Sequence, residues 1–294
     1  MTLSTSRSEP TRPGAALSEA GVRPTRSKGQ NFLTQGAVAD RIVACAQLKP
    51  EDEVVEIGPG LGILSERVSA AGVRRFTMVE LDRVLAERLR RRFSDQGRAH
   101  VIEEDFLRFD LRRLLGASSV KVLGNLPFNV ASAVLRKLCD HQSGIARMVL
   151  MFQREVARRI RALPGDDNYG ALSVFTAMYW IIEDHFVVAP GSFHPRPKVA
   201  AEVLSMVPKQ TPGFERQEEA ALAELVRAAF SAPRKMLRNN IMSELGIAPT
   251  FLDRAFQEAA IDPQWRAHRL ALADFSRLLR ALARYDSASA PAAR

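Results

Sequence analysis

Residues 53–62 read EVVEIGPGLG, and this stretch decides the fold. Its apolar start predicts a short buried strand, and the glycines after it predict a tight turn whose backbone amides approach a ligand closely. Helical periodicity resumes at Ile63. A strand, a glycine-rich turn and a helix in this order are typical of open α/β sheets, in which ligands bind at the carboxyl ends of the strands.

Strands and helices alternate on both sides of this stretch. Apolar runs predict further strands at residues 76–80, 99–103, 120–123 and 146–152, and late strands at 186–189 and 201–207. Helical periodicity predicts helices at residues 33–48, 63–71, 83–93 and 131–140. The alternation predicts βαβ units around a mostly parallel sheet, which places the chain in the α/β class.

The domain organisation follows from changes in composition. Residues 208–214 are rich in turn formers, and the pattern from 218 to 283 is helical. Residues 1–27 combine Ser, Pro, Gly and Arg without a continuous apolar segment, so they resemble a disordered tail and not a secretory signal. We predict tails at 1–27 and 286–294, an α/β domain at 28–207 and a small helical domain at 208–285.

The composition of the 294-residue chain narrows the class of protein. A net charge of +9 favours a polyanionic partner. The two cysteines exclude a disulfide framework and a cysteine-based zinc site, and the five histidines show no ligand spacing, so we predict no metal. No apolar run approaches the ~20 residues of a membrane span, and the cytoplasm is the expected compartment.

The glycine turn argues against a nicotinamide cofactor. Dinucleotide-binding turns read Gly-x-Gly-x-x-Gly, whereas Gly58, Gly60 and Gly62 alternate and follow an acid, Glu56. A tight turn without a ligand is the alternative for this motif taken alone.

Acidic residues close the next two predicted strands. Glu80 ends the second strand, where a carboxylate accepts two hydrogen bonds from a ribose diol. Asp105 and Phe106 end the third, where the carboxylate suits the exocyclic amine of a purine and the ring suits its face. A surface acid is the alternative reading of Glu80 alone, but the three strand ends together predict a site for a nucleoside derivative.

The fourth strand ends on Asn125-Leu126-Pro127-Phe128. The lone pair of an aromatic amine is delocalised, so acceptors that hold both amine hydrogens make its nitrogen a better nucleophile. The Asn125 side-chain oxygen and the Leu126 carbonyl are such acceptors, Pro127 stiffens the turn, and Phe128 offers a stacking face. A purely structural turn after a buried strand remains the alternative.

With these motifs in place, the sequence resembles the ribosomal RNA adenine dimethyltransferases, which use S-adenosylmethionine, and among them the small-subunit (16S) group. The resemblance covers about residues 26–280 and rests on the order of several segments: GQNFL at 29–33, EIGPGLG at 56–62, NLPF at 125–128, QREVA at 153–157, YGALS at 169–173, FHPRPKV at 193–199, AF at 229–230 and RKMLRNN at 234–240.

The resemblance implies a cofactor site. Asn31 and Leu33 would contact the methionine part of S-adenosylmethionine, and Gly58 would lie against it. Glu80 would bind the ribose and Asp105 the adenine. The implied fold is a Rossmann-like seven-stranded methyltransferase sheet with helices on both faces and an all-helical C-terminal domain that binds RNA or the ribosome.

The resemblance also implies the catalytic residues. Asn125, within the motif that includes Leu126 and Pro127, would contact both cofactor and target amine, and Phe128 and Phe193 would sandwich the target adenine. The implied substrate is a pair of adjacent adenosines in the 3′-terminal hairpin loop of small-subunit rRNA, each methylated twice within a pre-mature small ribosomal subunit. We expect a monomer.

The sequence departs from the family pattern at two places, and further functions stay open. Phe128 stands where Tyr is usual, and Ala232-Pro233 where relatives often carry polar or basic residues. A large-subunit rRNA adenine methyltransferase of the antibiotic-resistance type shares the cofactor loop and the Asn-Leu-Pro-aromatic motif. The sequence is also compatible with a non-catalytic assembly factor on this fold and, more distantly, with a nicotinamide oxidoreductase.

Overall fold

The structure is a computed structural model that describes residues 31–115, 119–127, 130–211 and 213–289, with side chains to residue 284. The predicted tail at 1–27, the first two residues of the GQNFL segment and Phe128 lie outside the described residues.

A seven-stranded sheet forms the centre of the larger unit. Its strands are β2 (Glu53–Ile57), β3 (Arg75–Glu80), β4 (Ala99–Glu103), β5 (Val120–Asn125), β6 (Ile145–Gln153), β7 (Trp180–Val188) and β9 (Ala201–Pro208). They lie in the order β4-β3-β2-β5-β6-β9-β7. Strands β2 to β6 pair in parallel, and β9 pairs antiparallel to β6. The predicted α/β class with a mostly parallel sheet is confirmed.

Three helices connect successive parallel strands, namely α2 (Ile63–Ala70), α3 (Arg83–Arg92) and α4 (Ala131–Cys139). Helix α1 (Gly36–Cys45) precedes β2, and α5 (Arg154–Arg161) follows β6. Strands β2 and β5 are buried over most of their length, because helices cover both faces of such a sheet. One core cluster includes Ile42 and Val68 on the helices and Val54, Met78 and Leu123 on the strands.

The strand order creates a switch point next to β2. From β2 the chain continues outward through β3 and β4 on one side, whereas β5 and β6 lie on the other side. The carboxyl ends of β2, β3 and β5 therefore meet at one edge of the sheet, where ligands of open α/β folds bind.

A two-stranded sheet joins distant parts of the chain at this unit. Strand β1 (Phe32–Leu33) pairs antiparallel with β8 (Phe193–His194), with Leu33 opposite Phe193. Periodicity predicted a helix from residue 33, but α1 begins only at Gly36. A two-residue strand has no periodic signal, since its partner strand and not its local sequence determines it.

The second compact unit comprises residues 158–181 and the chain from Lys209 onward. Its helices are α6 (Ala171–Tyr179), α7 (Glu219–Ala229), α8 (Leu237–Leu245), α9 (Pro249–Glu258) and α10 (Leu272–Ser289). Helix α10 continues past residue 285, where the sequence placed the start of a tail. The assignment of separate functions to residues 28–207 and 208–285 stays a prediction. None of the helices in the described ranges has the length and apolar character needed to cross a bilayer.

Asn240 has a structural role in the helical unit. Its side chain is buried, and its amide donates to the carbonyl oxygens of Ala229 (2.8 Å) and Ala232 (3.0 Å), which closes the segment between α7 and α8. Packing within the protein therefore accounts for the asparagine at position 240 of the RKMLRNN segment, and no contact with RNA is needed to explain it.

We expect Asn240→Ala to lower the free energy of unfolding by about 2 kcal/mol, because one buried and one partly buried carbonyl lose their donor. The neighbouring half-buried Asn239 is the matched control, and Asn239→Ala should cost less than ~0.5 kcal/mol. Urea unfolding measures both variants. Equal costs would show that the Asn240 amide does not stabilise this segment.

Candidate cofactor and substrate site

The glycine turn has a backbone that only glycine adopts easily. Gly58, Gly60 and Gly62 have φ values of 61°, 58° and 86°, in the left-handed region that disfavours residues with a Cβ. A Cβ on Gly60 would also lie 3.0 Å from Cδ1 of Phe32. The turn therefore requires glycine for its conformation and for the close approach of β1.

Glu80, at the end of β3, is hydrogen-bonded to this turn. Its Oε2 accepts from the Gly60 backbone N (3.0 Å) and its Oε1 from the Asp82 backbone N (2.9 Å). The side chain is buried; burial raises the pKa of Glu80, and the backbone hydrogen bonds oppose that rise. Glu80 thus links the end of β3 to the glycine turn. The sequence motif did not reveal this contact.

Two cavities open at the carboxyl edge of the sheet. The first is lined by the glycine turn, by β1 and by the end of β5, and it includes Asn31, Leu33, Leu126 and Pro127. The second, of about 250 Å³, is lined by Leu81, Asp105, Phe106, Leu107 and Val134, among others.

Among the described residues, Gly58, Glu80 and Pro127 line both cavities. A ligand with two parts can therefore place one part in each cavity, with the portion that joins them beside Glu80. The structure thus brings together seven predicted site residues at the first cavity and places Asp105 at the second; the seven are Asn31, Leu33, Gly58, Glu80, Asn125, Leu126 and Pro127.

The side chain of Asn125 is oriented by the backbone. Its Nδ2 donates to the carbonyl oxygen of Asn31 at 3.0 Å. This bond uses the donor end of the amide, so Oδ1 is the end that can accept a hydrogen bond from a ligand. Leu126 is buried and its N–H donates to the Met151 carbonyl at 3.3 Å, while Pro127 accepts from Val130 N at 3.1 Å and closes the turn.

Of the two aromatic residues predicted to hold the target base, the structure describes only one. Phe128 lies outside the described residues. Phe193 is only 4% exposed, belongs to the core cluster and does not line either cavity. A contact between Phe193 and a base therefore requires local opening beside β1, and its role stays a prediction.

Glu56 also belongs to the site. In the sequence, this acid served only as an argument against a dinucleotide cofactor. It lines the first cavity, is buried, and accepts from Ser65 Oγ at 2.7 Å. Burial raises the pKa of Glu56 to about 8; the Ser65 hydrogen bond opposes this and the nearby Glu80 adds to it. The sequence signal for this site residue was an acid near the end of a predicted strand, just before a glycine turn.

The raised pKa of Glu56 predicts a pH-dependent stability. From about 4.5, its ordinary value, to about 8, the folded chain keeps a proton that the unfolded chain releases. The free energy of unfolding therefore falls by a few kcal/mol as the pH rises through this window, and it levels above pH 8. In Glu56→Gln the part of this fall that Glu56 causes should be absent, while the part from the raised pKa of Glu80 remains. Urea unfolding between pH 5 and 8.5 measures the difference in slope. Identical slopes in the two proteins would contradict the burial of an ionisable Glu56.

Arginines within or close to the QREVA and RKMLRNN segments lie on both compact units. The side chains of Arg154, Arg158, Arg159 and Arg161 on α5 are exposed. Arg238 forms a bidentate ion pair with Asp253, at 2.6 and 3.0 Å, so its guanidinium already has a protein partner.

The sheet order, the glycine turn and the acids at consecutive strand ends define a Rossmann-like methyltransferase fold. A dimethyladenosine transferase from Plasmodium falciparum has the same fold, with a TM-score of 0.73 at 22% identity over 87% of this chain and 98% of that chain. The 23S rRNA methyltransferase ErmE matches with a TM-score of 0.66 at 23% identity, over 86% of this chain and all of that one (100%).

Sequence similarity gives the family. The profile of the ribosomal RNA adenine dimethylases matches residues 23–284. The ribosomal RNA small subunit methyltransferase A of Geobacter metallireducens is 39% identical over 266 residues, which is 89% of this chain and 96% of the relative. The chain therefore belongs to the ribosomal RNA adenine dimethylase family, and the expected family resemblance is confirmed.

Proposed function

We propose that this chain uses S-adenosylmethionine to dimethylate the exocyclic amines of two adjacent adenosines in the 3′-terminal hairpin loop of small-subunit rRNA. The observation that carries the proposal is the orientation of Asn125, whose amide nitrogen is bound to Asn31 so that its oxygen is available to an amine donor. The 39% identical relative, named as a small subunit methyltransferase, supports the choice of rRNA.

The cavities fit the proposed cofactor. A Cβ at Gly60 would lie only 3.0 Å from the Phe32 ring, and the turn presents its backbone to the first cavity. Glu80 lies where the two cavities join, which suits a ribose between a methionine part and an adenine, and Asp105 and Phe106 line the second cavity. Asn31, Leu33 and Gly58 would hold the methionine part. When bound, S-adenosylmethionine supplies a methyl group activated by a sulfonium.

The residues of the chain act mainly by orientation and exclusion of water. Asn125 Oδ1 and the Leu126 carbonyl would hold the two amine hydrogens, which favours a pyramidal nitrogen with a localised lone pair. Holding two reactants in line at short distance accounts for a large part of such a rate enhancement. The methylated ammonium is acidic and loses its proton readily, so the proposal needs no histidine or lysine as a general base.

The substrate would be loop RNA within a pre-mature small subunit. A base must leave its stack to reach the cavity, at a cost of a few kcal/mol that is lowest in a loop. The net charge of +9 favours rRNA as partner. A monomeric enzyme acting in the cytoplasm remains part of the proposal.

The large-subunit alternative rests on the shared cofactor loop and Asn-Leu-Pro-aromatic motif, to which the likeness to ErmE, at 23% identity, adds only the fold. The test is transfer of labelled methyl from S-adenosylmethionine to unmethylated small subunits, with large subunits in parallel, followed by nucleoside mass spectrometry. We expect dimethyladenosine in small-subunit rRNA alone. Label only in large-subunit rRNA would favour the resistance-type activity, and cofactor binding without transfer to either would favour an assembly factor.

The predicted contact of Phe193 with the target base can be tested without emptying the core. Phe193→Leu keeps an apolar side chain at this buried position but removes the stacking face. We expect RNA methylation to fall about tenfold, the loss of roughly one base-stacking interaction, while the Kd for S-adenosylmethionine stays within twofold. Equal losses in methylation and in cofactor affinity would argue against a base contact.

A further inference from the structure

Lys137 lies on α4 and binds a neighbouring loop through its ammonium group. Its Nζ donates to the carbonyl oxygens of Phe106 (2.7 Å) and Leu107 (3.0 Å), and also to that of Phe109. A lysine ammonium has three N–H donors, so these three carbonyls use its full capacity. The side chain is thus fixed to one segment of backbone, unlike a lysine that extends into solvent.

The segment that Lys137 holds is a tight turn after β4. The backbone carbonyl of Asp105 accepts from the N–H groups of Arg108 (2.9 Å) and Phe109 (2.8 Å), and Asp105 Oδ1 accepts from Leu107 N at 2.9 Å. The turn therefore satisfies these N–H groups internally, while the carbonyls of residues 106, 107 and 109 accept from Lys137.

The same turn forms a wall of the second cavity. Asp105, Phe106 and Leu107 line it, and so does Val134, which lies one helical turn before Lys137 on α4. The Lys137 Nζ also lies 5.3 Å from the centre of the Phe106 ring. Lys137 thus links two elements that both line this cavity, and α4 itself begins just after the Asn125–Phe128 motif.

The ammonium is partly removed from water. Burial lowers the pKa of Lys137, and the carboxylates of Asp105, Asp110 and Glu104 oppose that change by favouring the charged form. A neutral side chain of similar length would leave three carbonyls without this donor, which loosens the turn.

We propose that Lys137 is a positioning residue that fixes the wall of the adenosine cavity and thereby sets the affinity for the adenosine end of the methyl donor. The inference rests on the proposed function, because it assumes that the second cavity takes the adenine. Lys137 lies outside all of the motif segments that carry the family resemblance.

The test compares the full-length wild-type chain with Lys137→Met and Lys137→Arg. Calorimetry measures the Kd for S-adenosylmethionine and for 5′-methylthioadenosine, which carries the adenosine end but not the methionine carboxylate and ammonium. We expect Lys137→Met to weaken both ligands by the same factor, about tenfold, because the turn that forms the cavity wall loses its three charged hydrogen bonds. Lys137→Arg should recover most of the affinity.

Two further readouts separate positioning from a general loss of stability. In Lys137→Met the KM for S-adenosylmethionine should rise by the same factor, with kcat at saturation within about twofold. Arg136→Met, at the exposed neighbouring cation on the same helix, is the matched control and should leave both Kd values unchanged.

Three results would overturn the inference. In the first, Lys137→Met binds both ligands as the wild type does. In the second, it loses affinity for S-adenosylmethionine but keeps that for methylthioadenosine. The third applies if Lys137→Met fails to fold. It is a folded Lys137→Arg variant with an unchanged KM for S-adenosylmethionine and a lowered kcat. A wild-type chain that binds neither ligand and transfers no methyl would instead overturn the proposed function, and the inference with it.

Discussion

Asn125→Ala should lower methyl transfer to small-subunit rRNA by at least about a hundredfold, the usual cost of removing one preorganised group at a reacting centre. The alanine removes the acceptor proposed for the target amine and the contact with the Asn31 carbonyl. The first cavity keeps its glycine turn and Glu80, so the Kd for S-adenosylmethionine should change by no more than about threefold, within 1 kcal/mol. Single-turnover transfer and calorimetry measure the two quantities.

Two comparisons sharpen this experiment. Asn168→Ala changes an exposed asparagine of the same chain and should leave transfer unchanged. Asn125→Asp keeps an acceptor but loses the N–H that binds Asn31, so it tests orientation separately from acceptance. If Asn125→Ala transfers methyl at the wild-type rate, the proposed role of Asn125 is wrong.

Glu80→Ala should weaken S-adenosylmethionine binding by about a hundredfold, roughly the loss of two hydrogen bonds to a charged group. The carboxylate holds the backbone N–H groups of Gly60 and Asp82 and lies where the two cavities join. Its removal therefore loosens the turn and removes the proposed ribose contact. Transfer at saturating cofactor should recover much of the wild-type rate.

The chain provides a matched control for Glu80. Glu103 stands directly opposite it on β4, but it is exposed, pairs with Arg90 and does not line either cavity. Glu103→Ala should leave the Kd unchanged. Equal Kd values for Glu80→Ala and the wild type would contradict a role of this carboxylate in cofactor binding.

The sequence predicted the sheet and the strand ends well because both have local signals. Alternating apolar runs gave the strands, the glycine spacing gave the turn after β2, and acids at strand ends gave Glu80 and Asp105. Parallel topology then brings those ends to one edge, so local patterns sufficed to place most of the candidate residues together.

The remaining features depend on contacts between distant residues. The bond between Asn125 and Asn31 joins residues 94 positions apart, and the one between Lys137 and Phe106 spans 31. The burial of Phe193 depends on pairing with Leu33, which no pattern in either segment indicates. Glu56 was visible as an acid, but its burial and raised pKa follow only from the packed cavity.

The pairing of β1 with β8 has a consequence for synthesis of the chain. Asn31, Phe32 and Leu33 line the first cavity, yet β1 finds its partner only at residues 193–194. Closing so long a loop is slow and entropically costly compared with forming the local βαβ units. In a nascent chain the first cavity is therefore complete only after residues 193–194 have left the ribosome, so the wall formed by β1 is among the last parts of this unit to assemble.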